Sequence, residues 1–230
     1  MRRSNVAAGA TRIVLATRNE DKAREIEAVL SSEMPGVPLQ LLSLRDFPHI
    51  GEVEETGDSF EENAVKKAKF TAKETGLICL ADDSGLEVDA IGGLPGVKSA
   101  RFASQNGRNS DDAENRKKVL RFLEGVDHSK RTARFRCVIA LATPEGIVKV
   151  KEGIVEGYIT EGERGLNGFG YDPIFLYPPS GKTFAEMSPD EKNTVSHRGR
   201  ALRAMIPEIL EVVRQGRSDS ENPRRVTAGN

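Results

Sequence analysis

Apolar residues arrive along this chain in short bursts of two different periods. Residues 12–17 (RIVLAT) form a compact apolar run that reads as a buried strand. From 20 to 30 apolar residues recur at 23, 26, 29 and 30, the spacing of one helix face, so 17–22 is a strand-to-helix turn. A second strand is predicted over 39–44. Ser59 and Glu62 have capping-box spacing and predict a helix from Phe60 to about Thr75, stopped by Gly76. Its Ala64, Ala68 and Ala72 lie four apart and suit close packing on a sheet. Residues 77–81 read as a strand that ends at Asp82-Asp83-Ser84-Gly85. Ser110 is read as the cap of a helix with Val119, Leu120 and Leu123 on its apolar face and Gly125 at its end.

The period then changes. Residues 135–143, a turn at Pro144-Glu145-Gly146, and 147–159 predict a long antiparallel pair. A glycine-rich loop over 162–170 precedes a last strand over 172–177. Ser188-Pro189 opens a further helix with proline at its first position. The final helix starts near Ser196, carries Leu202, Met205, Ile206, Ile209 and Val213 on one face, and is expected to kink at Pro207. The predicted class is α/β: a single elongated domain over 11–214, with a mixed β-sheet flanked by helices and an antiparallel β-hairpin extension. Residues 1–10 are read as a flexible N-terminus and 215–230, which lack periodicity, as a disordered tail.

Composition narrows the function classes. Lys plus Arg number 34 and Asp plus Glu 35, a net charge of −1, so no basic excess favours a nucleic-acid backbone. Aromatics are 5% and tryptophan is absent, which argues against stacking platforms for single strands. No apolar run approaches the roughly 18 residues of a membrane helix, and the opening MRRSNVAAGA has no secretory apolar region. Cys79 and Cys137 lie in strand-like runs and read as small buried hydrophobes. A cytoplasmic protein with neither nucleic-acid nor membrane partners is expected.

Three motifs are decoys. Ser180-Gly181-Lys182-Thr183 ends like a P-loop, but the required first glycine would fall at Leu176. Gly168-Phe169-Gly170 begins a dinucleotide fingerprint whose third position is Pro173. Asp82-Asp83-Ser84-Gly85 lacks the spacing of a calcium-binding loop. His49 and His128 read as solvent-exposed.

Other residues carry chemistry if the first strands are parallel, because ligands then sit beyond their carboxyl ends. Thr17, Arg18, Asn19 and Lys22 offer a hydroxyl, an amide, cations and a helix start to a phosphate; an ordinary turn fits as well. Asp82 and Asp83 suit a Mg²⁺ site and a water-activating base, with Glu54 and Glu55 as further ligand candidates; solvated acidic turns are the competing reading. Lys192, Ser196, His197 and Arg198 put cations near the start of the last helix, where an anion would account for them. Together these point to phosphoryl chemistry on a nucleotide.

The segments LATRNEDKAREI, EETGDSFEENAVKKA, LADDSGLEVDAIGGLPGVKSARF, ARFRCVIAL, GFGYDPIF and EKNTVSHRGRAL, spanning 13 to about 204, resemble the non-canonical purine nucleoside triphosphate pyrophosphatases. That resemblance implies Mg²⁺-dependent hydrolysis of ITP, dITP, XTP and dXTP to the monophosphate and pyrophosphate, by a homodimer that clears deaminated purines. It implies that Thr17, Arg18, Asn19, Glu20, Asp21 and Lys22 hold the triphosphate, with Lys67 near the phosphates. Asp83 would be proton acceptor and metal ligand, and Glu54 the second metal ligand. Ser84 would touch substrate; Phe169, Gly170, Tyr171 and Asp172 would form part of the base pocket; Lys192, His197 and Arg198 would complete the site. Arg18 stands where that family often has glycine, and the division of roles between Asp82 and Asp83 stays open.

Overall fold

A computed structural model describes residues 10–51, 53–105 and 107–221. Seven strands form one mixed sheet in the order β2-β1-β3-β4-β5-β6-β7. β1 (Thr11–Leu15) runs parallel to β2 (Leu39–Ser43) and to the start of β3 (Ile78–Val88), while every later pairing is antiparallel. β4 (Thr132–Ala142) and β5 (Val148–Ile159) form the hairpin that carries the sheet past its parallel part. The edge is completed by β6 (Phe175–Tyr177) and β7 (Lys182–Thr183), so the segment resembling a P-loop end is a short edge strand.

Packing follows from strand alternation. One face of the sheet carries Ile13, Leu15, Leu80, Ile139 and Leu141, covered by Ile26, Val29 and Leu30 of α1 (Glu20–Glu33) and by Leu202, Met205, Ile209 and Val213 of α5 (His197–Glu221). The other face carries Cys79, Ala81, Val138 and Ala140 against Ala64, Ala68 and Ala72 of α2 (Phe60–Thr75), all three fully buried. A second apolar region at the far ends of β3, β4 and β5 joins Leu86, Val88, Phe135 and Val155 to Val119 of α3 (Asp112–Phe122) and to Phe175 and Phe184. α4 (Pro189–Val195) bridges to α5 and starts with a true capping box between Ser188 and Glu191. The long strands thus thread both cores, and the polar stretch Asp82–Gly85 lies between them.

Several expectations need correction. β3 does not end at Asp82; β4 continues beside it to Val88, so the ladder holds after β1 has stopped. Residues 172–174 are a 3-10 turn, since Pro173 has no N–H for a ladder, and the strand starts at Phe175 but is followed by β7. Asp111 caps α3, because the Ser110 hydroxyl is engaged with Asn115, and the helix ends at Phe122, ahead of Gly125. At α2 the Ser59 hydroxyl caps Glu62, but Glu62 returns to the Asp58 N–H rather than to Ser59. α5 runs through Pro207 to Glu221 where disorder was expected from 215: an established helix propagates through polar residues. The expectations for 1–9 and 222–230 lie outside the described residues.

α5 sits directly on the backbone of β5. A Cβ at Gly153 would come within 2.1 Å of the His197 carbonyl and 2.5 Å of the Ala201 nitrogen. Gly153→Ala is therefore expected to cost about 3 kcal/mol, lowering Tm by about 6–12 °C for a chain of this size. Thermal denaturation checks this, and a shift under a couple of degrees would refute the contact.

Candidate active site

β1 stops at Leu15, while β3 runs on. The last parallel pair is Leu15 with Leu80, and the Ala16 N–H donates to the Leu80 carbonyl. Past that point no described strand pairs with β3 on that edge, and a cleft of about 1080 Å³ opens there. It is bordered by the turn after β1, the acidic loop before α2, the middle of β3, the loop at 169–172, and the residues around the α4–α5 junction.

Alternation assigns the two adjacent carboxylates to opposite faces. Asp82 shares its face with Leu80, toward α1 and α5, and its Oδ2 lies 3.0 Å from Lys22 Nζ, 3.2 Å from Arg198 Nη2 and 3.2 Å from the Ser84 hydroxyl. Burial works against its charge, but Lys22 and Arg198 outweigh that and hold its carboxyl well below the aspartate range. Asp83 shares its face with Ala81, toward α2. There Asn63 donates to its Oδ2 at 3.0 Å and Lys67 Nζ lies 3.4 Å from its Oδ1. Asn63 and Lys67 are one helical turn apart on the buried face of α2. Burial raises the Asp83 carboxyl and its basic neighbours Lys67 and Lys22 only partly offset this, so it titrates above an ordinary aspartate. Burial also opposes the charge on Lys67, yet Asp83 and Glu55 keep it protonated.

The turn after β1 is built as a helix start. Asn19 caps α1 by accepting the Lys22 N–H at 3.0 Å, and the Asn19 N–H donates to the Thr17 hydroxyl at 3.2 Å. Thr17, Asn19 and Lys22 border the cleft. Arg18 borders it too, but its guanidinium donates to the Ile50 carbonyl at 2.8 Å and so ties this turn to the acidic loop. Glu20 and Asp21 do not belong to the cleft; they sit on the exposed side of α1, paired with Arg45 and Arg24.

Glu54 and Glu55 are separated by the structure. Both border the cleft, but the Glu54 side chain is exposed, while its carbonyl accepts from Lys66 Nζ and the Thr56 N–H. Glu55 reaches Lys67 at 2.6 Å and Arg101 at 3.6 Å. The carboxylate that shares Lys67 with Asp83 is thus Glu55, the second of the two ligand candidates in this loop. Among the described residues no group of three or more His, Cys, Asp and Glu could by itself hold a metal. Two hard oxygen donors do converge, however, and a magnesium ion needs only one or two carboxylates when phosphate and water fill its other positions. The pair Asp83 and Glu55 fits that demand.

The opposite wall is equally charged. Arg198, 1% exposed, meets Glu25, Asp82 and Ser84, and Lys192 meets Glu25 and Asp172. The Phe169 ring lies half-buried, 4.7 Å from Lys192 Nζ and 5.7 Å from the Arg198 guanidinium carbon, an open aromatic face with cations behind it. Asp172 accepts the Phe169 N–H at 2.9 Å and shapes that turn, and Gly170 completes it with φ +59°. Tyr171 borders the cleft, but its ring packs in the far core and its hydroxyl donates to the Ser99 carbonyl, so it supports the wall rather than offering a stacking face. His197 is buried and stacks on Phe135 at 4.6 Å. Burial, with Arg198 and Lys192 nearby, pushes its pKa well below the usual range and keeps the ring neutral. Neither its Nδ1 nor Arg198 Nε has a hydrogen-bond partner among the described residues. Sequence reasoning missed Glu25, Asn63 and Arg101. Only Glu25 carried a signal, a charge on the helical stripe facing inward from Ala23, Ile26 and Val29.

The chain matches the model of the Ham1 family over residues 13–208. It is 52% identical over 193 residues to the dITP/XTP pyrophosphatase of Bacillus licheniformis, covering 84% of this chain and 95% of that one. It is 53% identical over 192 residues to the dITP/XTP pyrophosphatase of Geobacter sulfurreducens, covering 84% and 93%. Among solved structures, a HAM1 protein from Coxiella burnetii superposes with a TM-score of 0.77 at 42% identity, covering 87% of this chain and 99% of the other. A nucleoside-triphosphatase / dITP/XTP pyrophosphatase from Mycobacterium abscessus does so at 0.67 and 48%, covering 86% and 100%.

The buried ion pairs set an acid limit on stability. Burial opposes the charge on Glu25, but Arg198 and Lys192 hold its folded pKa below the ordinary 4.5, and Asp82 is depressed likewise. A depressed carboxyl stabilises fully above its unfolded pKa and loses that contribution as pH falls toward the folded value. Urea midpoints should therefore fall steeply below about pH 4.5, and Glu25→Gln, less stable at pH 7, should show a shallower acid slope. An unchanged slope would remove Glu25 from the network.

Proposed function

The chain belongs to the Ham1 family, and on that premise we propose that it hydrolyses non-canonical purine nucleoside triphosphates (ITP, dITP, XTP and dXTP) to the monophosphate and pyrophosphate, and so clears deaminated purines from the nucleotide pool. The observation that carries this is the buried carboxylate of Asp83, with Lys67 against it and the capped start of α1 across the same cleft. The dITP/XTP pyrophosphatases to which the chain is about half identical support the choice of substrate.

The residues divide the work by charge. Thr17, the backbone at Asn19 and Lys22 receive the triphosphate at a helix N-terminus, where anions are favoured. Asp83 accepts the proton of the water that attacks the α-phosphorus; burial raises its pKa and so makes it a better base than an exposed aspartate. Lys22 and Lys67 meet the charge that develops on the leaving pyrophosphate. A Mg²⁺ ion held by Asp83 and Glu55 would supply neutralisation of the phosphate oxygens. Phe169 offers its face to the purine, and Asp172 and Lys192 fix the orientation of that face. His197 Nδ1 and Arg198 Nε, two buried polar atoms of cleft residues without a partner among the described residues, are available to a 6-oxo purine.

The reading includes a homodimer and a cytoplasmic location. Leu94 is 43% exposed at a groove of about 720 Å³ lined by Val65, Val97 and Val150 together with charged residues such as Glu62, Glu87 and Arg136, a mixed surface that a second copy could cover. Light scattering at micromolar protein decides the oligomeric state. Among the described residues no helix is long and apolar enough to cross a membrane, and the two cysteines are buried and unpaired.

Two measurements test the reaction. Asp83→Asn is expected to lower kcat by about 10²- to 10⁴-fold while nucleotide still binds, whereas Lys22→Ala should raise KM as well, because its charge meets phosphate before and during reaction. Near wild-type turnover of Asp83→Asn would remove it as the base. In a panel at one Mg²⁺ concentration, kcat/KM for dITP and XTP should exceed that for dGTP and dATP by on the order of 10²-fold or more, since mismatched buried polar groups are left without partners. Equal values for dGTP and dITP would refute the house-cleaning role even if pyrophosphate is released.

A further inference from the structure

α3 grips the loop that carries the proposed base platform. Its first residue, Asp112, accepts the Gly170 N–H at 2.8 Å, and Arg116, one turn later, donates through Nη1 to the Gly170 carbonyl at 2.8 Å. Both polar groups of Gly170 are therefore held by one helical turn. Arg116 is itself fixed by two bonds to the Glu163 carboxylate, at 2.8 and 3.2 Å, which is the bidentate geometry that limits its rotamers. α3 is anchored in turn, because Asn115, buried between these two residues in sequence, accepts the Ala103 N–H at 2.7 Å and bonds Ser110.

Glycine at 170 meets a backbone demand, not a spatial one. A Cβ there would meet nothing within 4 Å, yet φ is +59°, a conformation in which L side chains are strained. That conformation presents the N–H and carbonyl of Gly170 to Asp112 and Arg116. The residue before it is Phe169, and the Phe169 N–H and carbonyl are bonded by Asp172 from the other side. The aromatic ring is thus held from both ends: by Asp172 within its own loop, and by α3 through Gly170.

We propose that Asp112 and Arg116 are positioning residues that set the affinity of the cleft for the purine ring by holding Gly170, and thereby Phe169, in place. The inference rests on the nucleotide reading of the cleft given above. Asp112 borders the cleft but Arg116 does not, so any effect of Arg116 on the ring passes through the loop. The phosphate end of the cleft, built from β1, α1 and α2, shares none of these bonds.

Calorimetric titration of the full chain with two probes separates the ends of the site: dIMP, which carries the base, and inorganic pyrophosphate, which does not. Arg116→Ala and Asp112→Ala, which removes the acceptor of the Gly170 N–H, should each weaken dIMP binding by about tenfold, the effect of a mispositioned contact, while pyrophosphate binding stays within about twofold. Arg116→Lys, which keeps a donor near the carbonyl, should recover most of the loss. Equal weakening of both probes, an effect of Asp112→Ala without one of Arg116→Ala, or unchanged dIMP binding in both variants would each overturn the proposal. Should Arg116→Ala fail to fold, Asp112→Ala decides it alone, Asp112 being exposed. A wild-type chain that binds neither probe refutes the reading of the cleft itself; one that binds both, with variants that bind them equally well, refutes only the role of α3.

Discussion

A charge buried at the middle of a β-strand organises this molecule. Asp82 is 2% exposed, and a lone carboxylate there would not survive ionised. It is tolerated because α1 and α5 each deliver a cation to the same oxygen, Lys22 from one and Arg198 from the other. Such a network contributes little net stability, since desolvation offsets most of the attraction, but losing one partner strands the rest at a cost of about 3–5 kcal/mol. Its value here is geometric. It fastens the starts of two helices, through Lys22 and Arg198 176 positions apart in sequence, to the point on β3 where the parallel sheet gives out. Glu25 repeats the device one layer out by joining Arg198 to Lys192.

With Asp82 held on one face, the pleat sends its neighbour to the other. Asp83 meets α2, whose alanine stripe lets the helix lie close enough for Asn63 and Lys67 to reach it. Two residues that look equivalent in sequence therefore have opposite fates. One has an oxygen held by two fixed cations and is kept ionised; the other is left with a single amide and a shared lysine, with its pKa raised by burial. The structural carboxylate and the reactive one are consequences of the same two-residue period.

Much of this was legible beforehand, because it rests on local chemistry. The strand-to-helix turn at 17–22, the span of α2, the long hairpin and the helix start at Ser188 are written in caps, glycines and apolar spacing. What was not legible depends on distant partners. That β3 continues past Asp82 depends on β4, some fifty residues later; that Glu55 and not Glu54 turns inward depends on Lys67 and Arg101; that Tyr171 faces the core depends on Ser99. Glu20 and Asp21 were assigned with their neighbours along the loop, but once α1 begins, a step of 100° per residue carries them out of reach of what Lys22 reaches. Arg18 was singled out for its size, and the structure gives that size a task, bridging to Ile50.

The three long strands pass without interruption from one apolar region to the other, and the cleft lies along their exposed edge. Among the described residues no linker interrupts these strands between the two halves. A rotation of one half against the other would add twist to a hydrogen-bonded ribbon, spread over many peptide units and resisted by each. The molecule behaves in this respect as a torsion spring rather than a pair of jaws. Resistance to such a rotation is shared by β3, β4 and β5 as one ribbon and is not assigned to any one peptide unit.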